Sequence, residues 1–79
     1  MMTHLIIESE HDIEVNIIYL TELAKTGGYV KKIDLTFPSR LLCSVFMENL
    51  LENFSEEGVS KHCDLNLNLF VPGGDEDNE

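Results

Sequence analysis

Few residues in this chain offer a starting point for chemistry. His62-Cys63-Asp64 sets three possible metal ligands side by side, with His4, His11 and Cys43 elsewhere. In a strand, however, His62 and Cys63 project to opposite faces. A structural zinc site needs four converging ligands, and the chain holds no CxxC or HxxxH pair. A thiol nucleophile needs a cationic, partly exposed setting. Cys43 lies among Leu42, Val45 and Phe46 and reads as inert packing, and Cys63 falls on the apolar face of its strand. Glu48 and Glu52 stand one helical turn apart, and Glu8, Glu10, Asp12 and Glu14 crowd together. Paired carboxylates catalyse only where a pocket separates their pKa values, and a small two-layer domain has little room for one. Gly27-Gly28 and Gly73-Gly74 match neither GxGxxG nor GxxxxGK, so no phosphate cradle is indicated. The expectation is a protein that is not an enzyme, with no catalytic residue, no cofactor and no metal.

Charge is the stronger signal. Fifteen acids against five bases give a formal net charge of −10 over 79 residues. Such a chain is repelled by nucleic acid and by anionic membranes and attracted to basic surfaces. Lys25, Lys31, Lys32 and Arg40 fall between residues 25 and 40, with Asp34 as the only acid there. The acids gather at Glu8–Glu14, at Glu48–Glu57 and in the tail. Two cysteines make no disulfide framework, and neither a leader nor a membrane-spanning apolar run is evident, so a cytoplasmic location is expected.

The elements that must carry these groups are centred on Ser39–Glu57. There Leu41, Leu42, Val45, Phe46, Leu50, Leu51 and Phe54 recur with the helical period. Pro38 suits the first helical position, and Gly58 suits a left-handed terminus. The apolar arc is wider than one sheet needs, which calls for a first helix or a partner to cover the surplus. Residues 13–25 read two ways. Ile13, Ile17, Leu20, Leu23 and Ala24 share a helical face, with Ser9 and Asp12 resembling a capping box, whereas the β-branched run IEVNIIY suits a strand. The helical reading is preferred. HLIIE at 4–8 reads as a strand that is central or buried on both faces, and YVKKIDLTF at 29–37 as a strand with Lys31 at its exposed end. In 62–71, Cys63, Leu65, Leu67, Leu69 and Val71 alternate with His62, Asp64, Asn66 and Asn68. Strands with one polar face imply a sheet covered on one side. The expected fold is an α+β two-layer sandwich, a three- to four-stranded sheet with one face covered by one or two helices. The preferred order is βαβαβ, with βββαβ as the alternative, in a single domain over 1–72 followed by a disordered acidic tail at 73–79.

Small acidic domains without catalytic motifs include anti-CRISPRs and other phage anti-defence proteins, antitoxins and immunity proteins. By analogy of size and charge alone, the expected function is an acidic inhibitor that docks on a basic, nucleic-acid-binding partner protein as a nucleic-acid mimic. The expected contacts are Glu8, Glu10, Asp12, Glu14, Glu48, Glu52, Glu56 and Glu57, with no direct binding to nucleic acid or membrane. The alternatives are an antitoxin or immunity protein that neutralises a toxin, and a homo-oligomeric structural or adaptor subunit, such as a homodimer.

Overall fold

Capping decides where both helices begin. In the computed structural model, which describes residues 2–60 and 63–72, Ser9 is extended and its hydroxyl accepts the Asp12 N–H at 3.3 Å. The Asp12 carboxylate accepts the Ser9 N–H at 3.2 Å and the Glu8 N–H at 2.8 Å. This reciprocal box starts α1 (Glu10–Lys25) and overrides the strand propensity of the β-branched run that follows. The second helix, α2 (Arg40–Glu57), is capped by the Ser39 hydroxyl, which accepts the Leu42 N–H at 3.1 Å. Pro38 therefore stands before the cap rather than at the first helical position. Gly58 ends α2 at φ +72°, and the Val59 N–H donates back to Phe54 O at 2.8 Å. Such a left-handed position favours a residue without a Cβ.

Three strands, β1 (Met2–Ile6), β2 (Lys31–Thr36) and β3 (Leu65–Phe70), form a parallel sheet in the order β1-β2-β3. The element order is βαβαβ, as expected. Ile33 of β2 lies level with Thr3 and Leu67, and Leu35 lies level with Leu5 and Leu69. This row of residues faces the helices, and both helices lie on that side. Ile13, Ile17 and Leu20 of α1 and Phe46, Leu50 and Phe54 of α2 close over Ile7, Ile33, Leu35 and Phe37. Phe37 and Phe46 meet with ring centroids 5.4 Å apart. The opposite face of the sheet is uncovered and carries His4, Lys32, Asp34, Thr36, Asn66 and Asn68 together with the exposed apolar side chains of Met2, Ile6 and Phe70.

Two strand readings are corrected. β1 is an edge strand that starts at Met2, not a central strand over 4–8. Its Ile6 is exposed on the open face, while Ile7, just past its end, is fully buried and donates its N–H to Thr36 O at 2.8 Å. Lys31 is not at an exposed end. It is only 4% exposed on the helix side of β2, where its ammonium donates to Thr26 O and, at 3.2 Å, to Tyr29 O. Thr26 is the residue that caps α1, so the cation sits at the negative end of that helix. The Tyr29 ring lies 4.6 Å from Nζ and adds a cation–π contact. The readings of His62 and of the 73–79 tail fall outside the described residues. No described helix is long and apolar enough to cross a membrane.

Candidate protein-docking surface

Helix periodicity distributes the acids over the outer surface of the helical layer. On α1, Glu10 and Glu14 are one turn apart and both turn toward α2. A groove of about 160 Å³ is lined by Glu10, Ile13 and Glu14 on one side and by Val45 and Asn49 on the other. It runs into a wider groove of about 360 Å³ whose walls include Glu14, Ile18, Asn49 and Asn53. On α2, Glu48, Glu52 and Glu56 follow at intervals of four and so share a stripe beside Asn49 and Asn53. All of these carboxylates are exposed. The surface is thus a shallow interhelical groove with Glu10 and Glu14 on its α1 wall and Asn49 and Asn53 on its α2 wall, and the Glu48–Glu52–Glu56 stripe lies outside that wall.

Interhelical polar contacts close the far end of the groove. Asn53 Nδ2 donates to Thr21 Oγ1 at 2.8 Å, and that hydroxyl donates onward to Ile17 O at 2.7 Å. Lys25 Nζ pairs with Glu57 Oε1 at 2.9 Å and with Glu22 at 3.6 Å. The hydrogen bond to Glu57, ahead of the nearby charges, raises the Lys25 pKa.

The eight acids singled out from the sequence therefore differ in what they do. Glu8, Glu10, Glu14, Glu48, Glu52 and Glu56 are exposed and form no ion pair among the described residues. The Asp12 carboxylate is engaged by two backbone N–H groups in the capping box. Glu57 is engaged by Lys25. Asn49 and Asn53 were missed. Their signal was available, since two amides one turn apart beside Glu48 and Glu52 mark a polar helix–helix seam.

Of the described cations, Lys25 is paired at the far end of the groove, Lys31 is buried, Lys32 lies on the open sheet face, and Arg40 is exposed in the first turn of α2. Burial pushes the Cys43 thiol pKa up, which disfavours the thiolate. Among the described residues, no group of three or more His, Cys, Asp or Glu side chains is placed to hold a metal ion. Comparison of the chain with protein-family models, curated proteins and solved structures finds no significant match.

Proposed function

We propose that this chain is an acidic inhibitor that docks its helical layer on a basic groove of a nucleic-acid-binding protein. The observation that supports this most is where the acids of α2 lie. Glu56 and Glu57 occupy the last turn of the helix, where α2 has no base of its own; Lys25 of α1 meets Glu57, and Glu56 forms no ion pair among the described residues. Carboxylates there oppose the helix dipole at a cost of roughly 0.3–1 kcal/mol each. Glu48, Glu52 and Glu56 repel one another at i,i+4, costing a few tenths of a kcal/mol per pair. The fold gains nothing from this stripe, which supports a role for it in meeting a partner.

In this reading, Glu10 and Glu14 on α1 and Glu48, Glu52 and Glu56 on α2 take the arginines and lysines that otherwise hold phosphates. Glu8 extends the acid row ahead of α1. Carboxylates are stronger partners for guanidinium than for ammonium because the pairing is bidentate. Two acidic rows favour rapid, salt-sensitive association.

The test is affinity capture from a cell lysate at low salt with immobilised wild-type protein and with the E48K/E52K variant. The reading expects a basic, nucleic-acid-binding protein on the wild type, released by salt, and little of it on the variant. Capture of no such protein, or equal capture by the variant, overturns it.

A further inference from the structure

We propose that two copies of this chain associate through the outer edge of β3, paired antiparallel about a two-fold axis at Leu67. β3 borders the sheet, and among the described residues no strand lies beyond it. Exposed edges of this kind are usually guarded by a charge, a proline or a bulge. Leu65–Phe70 reads LNLNLF and has none of these, although the chain carries a net charge of −10.

Backbone direction defines which groups the edge offers. Lys31 N–H donates to Asp64 O, and Phe37 N–H donates to Phe70 O, each at 2.9 Å. By the two-residue alternation of a strand, Asn66 and Asn68 also direct their backbone groups at β2. The N–H and C=O groups of Leu65, Leu67 and Leu69 then point outward.

The segment 65–69, LNLNL, reads the same in both directions. An antiparallel two-fold pairing centred on Leu67 sets Leu67 against its own copy and Leu65 against Leu69 of the other copy. Both are pairs in which the outward backbone groups exchange two hydrogen bonds. Every leucine stays on the helix side and every asparagine on the open side. The symmetry that a closed dimer requires is therefore already present in the strand.

Packing points to the same edge. Leu69 faces the helix layer, level with the fully buried Leu35, yet is 42% exposed. Leu51 lies on the flank of α2 opposite Asn49 and Asn53 and is 51% exposed. It borders a groove of about 370 Å³ shared with Phe54, Ser55 and Val59. Ser44 and Ser55 lie on that flank with Glu48 as its nearest carboxylate, while Glu52 and Glu56 turn away from it, so two acidic chains meet fewer acids there than along the rest of α2. This inference stands apart from the acidic docking surface, and the two respond oppositely to salt. Screening weakens capture of a basic partner and strengthens association of like-charged copies.

The test is sedimentation equilibrium of the full chain from micromolar to millimolar concentration, at low and high salt, with amide hydrogen exchange on the same samples. The proposal expects a dimer that tightens with salt. In that dimer the amides of Leu65, Leu67 and Leu69 gain protection, while those of Asn66 and Asn68 are protected at every concentration. Leu67→Pro removes the outward N–H at the axis and spares the ladder to β2, so it should weaken the dimer by roughly tenfold or more. If circular dichroism shows that this variant does not fold, Leu69→Glu, at an exposed position, is read in its place and should weaken the dimer as well. A wild-type monomer throughout overturns the proposal. So does a dimer with unprotected odd-numbered amides, one whose protection falls on β1 instead, or one that the folded variant leaves unchanged.

Discussion

Burying an ammonium group requires acceptors that replace water, and Lys31 finds them in carbonyls close in sequence. Its own loop supplies Tyr29 O, and the cap of α1 supplies Thr26 O. The side chain thus ties the end of α1 to the start of β2. Lys31→Met keeps the apolar stem but leaves both carbonyls without this donor, and stability should fall by about 1 kcal/mol, read from the urea midpoint. A variant as stable as wild type would contradict that role. Alternation in YVKKIDLTF puts Lys31 on the side of Ile33 and Leu35 and Lys32 on the other, but the helix end that makes burial of Lys31 tolerable is not visible in the pattern. Cys43 offers a second residue-level check. Desolvation raises its pKa, so at neutral pH it should be alkylated more slowly in the folded protein than in urea. The linkage has a definite sign. A thiol held neutral in the fold contributes stability below its unfolded pKa of about 8.5, and that contribution is lost as pH rises further. Lys25, raised by its bond to Glu57, adds a loss of the same sign at higher pH.

Among the elements, α1 depends most on its cap. Its sequence is rich in residues that favour strands, and the Ser9–Asp12 box decides the outcome. Ser9→Ala should cost about 1 kcal/mol, measured by thermal or chemical unfolding. An unchanged midpoint would show that packing of Ile13, Ile17 and Leu20 suffices without the box. The second helix was the most legible element because its period and Gly58 agree, although its start was read from Pro38 rather than from the Ser39 cap. The ends of the strands were less legible. β1 begins at Met2 because pairing with Lys32 through Thr36 sets its length, and such partners are invisible in a local apolar run. The acid groups could be read as clusters, but not the groove between α1 and α2 that Glu10 and Glu14 line, which exists only once the helices pack. The wide apolar arc of α2 was also readable. The structure divides it between α1, the sheet and an uncovered remainder at Leu41, 75% exposed, and Leu51. Glu52→Lys removes two like-charge neighbours and a carboxylate near the C-terminus of α2. It should raise stability by up to about 1 kcal/mol while weakening partner binding. Loss of stability in this variant would mean that the acid stripe serves the fold.

At the scale of the molecule, a small sheet covered on one side divides the surface into unlike parts. The helical layer presents acid, the open sheet face mixes hydrogen-bonding side chains with exposed Met2, Ile6 and Phe70, and the β3 edge presents uncharged backbone. On the open face, Asn68 Nδ2 donates to Asp34 Oδ1 at 3.1 Å, and His4 Nε2 and Thr36 Oγ1 lie 3.1 Å apart. These pairs satisfy one another across the strands. A domain of this size buries only roughly 60% of the surface its unfolded chain exposes. Carrying a repulsive acid stripe on so small a core is a large concession of stability, and it favours a role for the stripe beyond solubility. The most direct measurement of that role is the affinity of the captured partner as a function of salt, for wild type and for E48K/E52K. The account predicts a steep loss of affinity with salt for the wild type, and for the variant a complex weaker by about tenfold or more with a shallower slope. Equal affinities with equal slopes would contradict it.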